Sequence, residues 1–176
     1  NNIKANLIKL ENVSQANIIG LKGSHQYDNA SSAFTAAKEL IPNISKIKTL
    51  TGLKNTKWHG RIEHITRGKI TEFRNNITIL DGSHNEDGAA VLDKYLTEYS
   101  IGKCELIIGM LNNRNAKKFV NIFKNNITKA YAISIPEVES SYNPDDLITE
   151  LKSLGLNAFA SVSLEEALKQ TERDIP

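Results

Sequence analysis

The sequence predicts an α/β fold: a Rossmann-like three-layer sandwich in which helices wrap a mostly parallel sheet. Two observations carry this. From Ile77 onward, short runs rich in Ile, Leu, Val and Ala alternate with segments whose apolar residues recur at helical spacing. Strands that are apolar on both faces belong to parallel sheets, where helical crossovers cover each side. The crossovers are expected to be right-handed.

The elements follow in order. Residues 1 to about 20 hold two mixed apolar stretches, Ile3 to Leu10 and Ile18 to Leu21, read as extended. Asp28 or Asn29 is positioned to cap a helix whose apolar stripe is Ala30, Ala33, Phe34, Ala37 and Leu40, and Pro42 stops it. A second helix is expected from Ile44 to Leu50, with Gly52 as its C-cap. Residues 53–60 read as a linker, and Trp58 as the residue that packs it against a domain. Arg61 to Ile65 alternates like a half-buried strand. Arg67 to Asn76 is polar and turn-rich.

The regular part begins at strand Ile77–Leu80, followed by a helix from about Glu86 to Tyr99. Strand Cys104–Met110 leads to a helix from about Asn115 to Lys124. Strand Ala130–Ile135 leads to a helix from Pro144 to Leu154, with Asn143 as cap and Pro144 in its first turn. Strand Ala158–Ser161 leads to a helix from Leu164 to about Thr171, capped by Ser163. One more strand is expected after this helix, so the sheet is read as incomplete at that end.

Bulk properties exclude several classes. The chain has 176 residues, 40% hydrophobic and 24% charged, with a net charge of +2, an ordinary globular composition. That charge gives no electrostatic case for nucleic acid or membrane partners. Neither a membrane span nor a signal peptide is legible. The single cysteine, Cys104, permits neither an internal disulfide nor a multi-cysteine metal site and fits a reducing cytoplasm. The chain starts without an initiator methionine, and the expectation is an excerpt of something longer.

Four segments carry chemistry. In Asp81-Gly82-Ser83-His84-Asn85, a strand ends in an acid and a small-residue turn opens onto a helix, at the sheet edge where open α/β folds bind ligands. Helix N–H groups there can face an anion. Asp81 can accept from an ammonium or a ribose hydroxyl, and His84 can donate to a phosphate oxygen. The competing reading makes Asp81 and Asn85 helix caps and His84 a surface residue. In Gly23-Ser24-His25-Gln26-Tyr27-Asp28-Asn29-Ala30, the amides and imidazole suit a nucleobase edge or a phosphate, or simply begin a helix. Trp58-His59-Gly60-Arg61 offers Arg61 as a bidentate anion donor. His59 and His64 have no acidic or cysteine neighbours at ligand spacing, which argues against a metal there. Gly109-Met110-Leu111-Asn112-Asn113-Arg114-Asn115 follows the next strand, so Arg114 shares the edge of Asp81. The sequence contains neither G-x-x-x-x-G-K-[ST] nor G-x-G-x-x-G, so it has no phosphate-cradling loop of its own.

Together these segments resemble the C-terminal part of the folylpolyglutamate synthases and bifunctional dihydrofolate/folylpolyglutamate synthases, of the Mur ligase superfamily. Gly23, His25, Gln26, Asn29 and Ala30 match a Gly-x-His-Gln-x-x-Asn-Ala pattern. Trp58, Gly60 and Arg61 match Trp-Pro-Gly-Arg. Asp81, Gly82, His84 and Asn85 match Asp-Gly-Ala-His-Asn-Pro, and Gly109, Met110 and Leu111 match Gly-Met-Leu-x-x-Lys. His59, Ser83, Glu86 and Arg114 depart from the patterns, and a longer spacer between Arg61 and Asp81 suggests an inserted hairpin.

The resemblance implies an ATP- and Mg²⁺-dependent, cytoplasmic, monomeric ligase that joins L-glutamate to a pteroate or folate through an acyl phosphate. It implies that residues 1–52 close the central ATP-binding domain and 53–176 form the glutamate-ligase domain, with the metal ligands in the missing N-terminal ATPase portion. It further implies catalytic roles for Asp81 and His84, and ATP or phosphate contacts for Arg61, Asn29, Gln26 and His25. Ser83, Asn85 and Arg114 fall on the glutamate side of the cleft. The chain alone is expected to be inactive. The rival expectation is a non-catalytic Rossmann-like module or split-gene remnant that binds a partner or nucleotide weakly.

Overall fold

The computed structural model describes residues 8–14, 18–72 and 77–171. The chain divides into two compact units, Asn1–Glu63 and His64–Pro176.

The first unit holds α1 (Gln26–Leu40) and α2 (Lys46–Asn55). Residues 8–10 and 18–21 form no strand, and Ile3 to Leu7 lies outside the described residues. Val13 is buried with Ala30 and Phe34, and Leu50 and Leu53 of α2 pack against them. The segment before α1 is tied to it by polar bonds: Val13 N–H donates to Ser31 Oγ at 2.9 Å, and Glu11 N–H to Thr35 Oγ1 at 2.8 Å.

Two expectations need correction here. α1 starts at Gln26, not after Asp28 or Asn29, and its N-cap His25 makes no side-chain capping bond to the helix backbone. The tight turn at Gly23 sets that start, with Gln26 N–H bonded to Gly23 O at 3.1 Å. α2 runs through Gly52 and ends at Thr56. Packing of Leu50 and Leu53 outweighs the roughly 1 kcal/mol that a mid-helix glycine costs.

In the second unit a short strand, β1 (Glu63–Ile65), pairs with β2 (Thr78–Leu80), while β3 (Cys104–Ile108), β4 (Ile127–Ala132) and β5 (Ala158–Ala160) form a three-stranded parallel sheet. β1 begins two residues later than the alternation suggested, because Ile62 has φ 47°, outside the strand region. The spacer contains a helical turn, α3 (Lys69–Glu72), where a hairpin was expected, and residues 73–76 lie outside the described residues.

The remaining helices are α4 (Glu86–Glu98), α5 (Ala116–Phe123), α6 (Pro144–Ser153) and α7 (Leu164–Gln170). Each has a side-chain N-cap: Asn85, Asn115, Asn143 and Ser163 accept from the first-turn N–H groups of Gly88, Lys118, Asp145 and Glu166. Ile108, Ala130, Ala132 and Ala158 turn one face of the sheet into a core with Ala89, Val120, Phe123, Leu147 and Leu151. Small alanines on the central strand let α5 and α6 approach closely. The other face carries Tyr131 stacked on Phe159, and the Tyr131 hydroxyl donates to Gln170 O of α7 at 3.0 Å. Helices therefore cover both faces, which makes the three-layer Rossmann-like arrangement. The further strand expected after the last helix falls outside the described residues. Among the described residues a break falls between β2 and β3, which lie in separate sheets.

Candidate functional site

The turn after β2 is built around one carboxylate oxygen. Asp81 Oδ1 accepts the Ser83 N–H at 2.9 Å and also the Ser83 hydroxyl. This side-chain turn fixes the chain as it leaves the strand. Gly88 completes the fit, since a Cβ there would lie 2.8 Å from Ser83 Cβ and Oγ. His84 is exposed and its Nδ1 lies 3.1 Å from Gly82 O. A carbonyl only accepts, so Nδ1 carries the hydrogen and Nε2 of the neutral ring holds a lone pair.

Asn85 is the N-cap of α4, its Oδ1 accepting from Gly88 N–H at 2.9 Å. The first turn also carries Glu86 and Asp87. One of the helix-start amides is thus capped, and the acidic first turn suits the positive end of the helix.

The loop after β3 leads into α5, whose first turn pairs with that of α4 through Lys118 and Glu86 at 3.8 Å. It is pinned to the segment before α6. Asn112 N–H donates to Ser140 O at 2.7 Å, Tyr142 N–H to Met110 O at 2.8 Å, and the Tyr142 hydroxyl to Arg114 O at 3.2 Å. Arg114, Lys117, Asn113 and Tyr142 line a concavity of about 500 Å³ with Glu150 on its wall. Arg114 is exposed. Lys117 and Tyr142 were not among the sequence candidates. Lys117 had a signal, as the next cation after Arg114 in the sequence, but Tyr142 reaches the loop only through tertiary bonding.

The first unit holds the other candidates. His25 Nε2 lies 2.9 Å from Gln26 Nε2, and Asn29 Nδ2 donates to Gln26 Oε1 at 3.0 Å. Gln26 is 5% exposed, so its amide serves as a buried brace between His25 and the exposed Asn29. Gly23, at φ +98°, lies under the His25 ring, 2.8 Å from where its Cβ would be.

Arg61 is exposed and sits between Gly60 and the buried Ile62. Its turn is held by Glu63, whose carboxylate accepts Gly60 N–H at 2.8 Å and faces His59 Nδ1 at 2.8 Å. These two bonds, the Gly60 one foremost, hold the Glu63 carboxyl below its usual range. His59 thus does have an acidic partner, which the sequence reading missed. Trp58 is 69% exposed and does not pack as a linker anchor.

Asp81, Ser83, His84, Asn85 and Arg114 share the second unit, whereas His25, Gln26, Asn29 and Arg61 share the first. Among the described residues, no three His, Cys, Asp or Glu side chains gather to hold a metal ion, and no helix is long and apolar enough to cross a membrane.

No family model matches the chain. Among curated proteins, it is 30% identical over 102 residues to a probable bifunctional folylpolyglutamate synthase/dihydropteroate synthase of Haloferax volcanii, a match spanning 58% of this chain and 11% of that protein. It is 36% identical over 93 residues to a folylpolyglutamate synthase of Saccharomyces cerevisiae, spanning 45% of this chain and 15% of that protein. Among solved structures, the folylpolyglutamate synthase of Thermotoga maritima superposes with a TM-score of 0.72 at 25% identity, over 89% of this chain and 36% of that one. The Mycobacterium tuberculosis folylpolyglutamate synthase complexed with ADP shares the fold, with a TM-score of 0.74 at 15% identity over 85% of this chain and 33% of that one. The chain thus spans only a part of each relative.

Proposed function

We propose that this chain, whose relatives and structural neighbours are folylpolyglutamate synthases, is the C-terminal part of an ATP-dependent ligase that joins L-glutamate to dihydropteroate or folates. Residues 1–52 would close the ATP-binding domain and 53–176 would form the glutamate-ligase domain. The observation that carries this reading is the Asp81–Asn85 turn, held by its own side-chain bonds at a strand end in the unit that also carries the Arg114 and Lys117 concavity.

ATP, when bound, supplies the phosphoryl group that activates a substrate carboxylate as an acyl phosphate. The chain's own residues then have distinct tasks. Asn29, braced by Gln26 and His25, offers a polar edge for the base. Arg61, projecting from a clamped turn, offers a permanent cation for phosphate oxygens. Asp81 attracts the ammonium of incoming glutamate, and Arg114 with Lys117 attracts its carboxylates. The amine must lose a proton to attack, and the lone pair on His84 Nε2 can take it. That proton, lost from the ammonium before attack, stays on the imidazole, and the second proton of the attacking nitrogen leaves with the departing phosphate as the tetrahedral intermediate collapses to the amide. The sequence has no G-x-x-x-x-G-K-[ST] loop, and this reading assigns phosphate cradling and magnesium binding to the rest of the enzyme. No step is assigned to this chain through the metal.

The test is steady-state kinetics on the full-length enzyme. Asp81→Ala and His84→Ala should each lower kcat/KM for glutamate at least about tenfold, the loss expected of a removed acid–base group. Wild-type kinetics in both variants would remove these residues from the site.

A further inference from the structure

Arg61 stands between two residues in the left-handed region of the backbone, Gly60 at φ 69° and Ile62 at φ 47°. Glycine adopts that conformation freely. A β-branched residue does not, and one held there is an outlier. Such strain lasts only where the surroundings over-determine it, and it gathers at ligand clamps.

Two contacts hold this turn. Ile62 is 2% exposed, and its Cδ1 lies 3.4 Å from where a Cβ on Gly23 would be. Its side chain is therefore seated on the glycine turn that starts α1. From the other side Glu63 reaches back past Arg61. Its Oε2 accepts the Gly60 N–H at 2.8 Å, and its Oε1 faces His59 Nδ1 at 2.8 Å. The two partners differ in weight. The His59 side chain is 91% exposed, and exposed ion pairs contribute little. The bond to Gly60 is charge-assisted and closes a ring of backbone around Arg61. It is also the foremost reason that the Glu63 carboxyl stays below its usual range. Arg61 itself is exposed, with a planar, permanently charged fork suited to phosphate oxygens.

We infer that Glu63 is a positioning residue: by holding the Gly60 amide it fixes the backbone on both sides of Arg61, so that the guanidinium meets the phosphate oxygens of a nucleotide from an ordered turn. Ordering a long side chain and its loop at the moment of binding lowers affinity, and the clamp does part of that ordering beforehand. This rests on the reading that Arg61 contacts phosphate, but not on which substrates the enzyme ligates.

Calorimetric titration of the full-length enzyme with AMPPNP and Mg²⁺ tests it through a double-mutant cycle. Arg61→Ala should weaken AMPPNP at least about tenfold, the loss of a hydrogen bond to a charged group. Glu63→Ala should weaken it about fivefold through lost ordering, and should add nothing further in an Arg61→Ala background. Glu63→Gln, whose side-chain carbonyl still accepts the Gly60 N–H, should bind within about twofold of wild type. Urea titration establishes that each variant is folded. Should Glu63→Ala not fold, Glu63→Asp, one methylene shorter, takes its place in the cycle with the same expectation. Losses that add up in the double variant would overturn the inference and make Glu63 a general support of the fold. Wild-type affinity in Glu63→Ala would overturn it too, as would a Glu63→Gln variant as weak as the alanine one. Wild-type affinity in Arg61→Ala would remove Arg61 from the phosphate site, and the inference with it. Absent ligation by an enzyme that shows the expected cycle would count against the proposed function alone.

Discussion

Asp81 and Ser83 hold each other through a single oxygen, and this separates what the two residues do. Ser83→Ala removes one hydroxyl bond but keeps the backbone bond, so it should cost about 1 kcal/mol of stability and leave glutamate ligation by the full-length enzyme essentially intact. Urea titration and the ligation assay check this; a loss as large as that of Asp81→Ala would put Ser83 in the chemistry. Cys104 gives a second prediction. Burial, then the neighbouring Glu105 carboxylate, pushes its thiol up, and Sγ donates to Asn126 O at 3.3 Å. Thiolate is the reactive form, so alkylation by iodoacetamide should be slow at pH 7 and still rising at pH 9. A rate already level by pH 8 would contradict that environment. At this scale the Asp81–Asn85 cluster was legible because its members are consecutive. Tyr142 was not, because it meets Arg114 only through the folding of the segment before α6 onto the loop after β3. The Glu63 clamp on Gly60 was missed because a strand reading of residues 61–65 hides a turn.

The helices of the second unit owe their starts to short polar caps. Asn85 Oδ1 takes the Gly88 N–H and Asn115 Oδ1 the Lys118 N–H, at 2.9 and 2.8 Å. Asn85→Ala and Asn115→Ala should each destabilise the chain by about 1 kcal/mol, read from the shift of a urea midpoint at unchanged slope. Phe123 should cost more. It is 2% exposed, in the core formed by α5, the sheet and α6, so Phe123→Ala should cost about 3–5 kcal/mol through lost burial and the cavity left behind. Helices α4 to α7 were legible nearly to their ends because apolar spacing, cap residue and Pro144 agree. The starts and ends in the first unit were not. α1 begins on a glycine turn without a side-chain cap, and α2 passes through Gly52 because Leu53 packs against the cluster of Val13, Ala30 and Phe34.

At the scale of the whole molecule, alternation of apolar runs and amphipathic helices revealed the parallel sheet and its sandwich, but not the strand order. Order depends on which face each crossover takes, and that is set by partners such as Tyr131 with Gln170, far apart in sequence. Among the described residues β2 and β3 lie in separate sheets, which the alternation did not foretell. The chain places its candidate residues in two units and spans a part of proteins known as folylpolyglutamate synthases. The central claim is that these residues serve glutamate ligation. The most direct measurement is incorporation of radiolabelled L-glutamate by the full-length enzyme, with dihydropteroate and with tetrahydrofolate, in the presence and absence of ATP. Labelled glutamyl product that appears only with ATP, and falls at least about tenfold in Asp81→Ala, is the result expected. No incorporation on either acceptor would contradict the account.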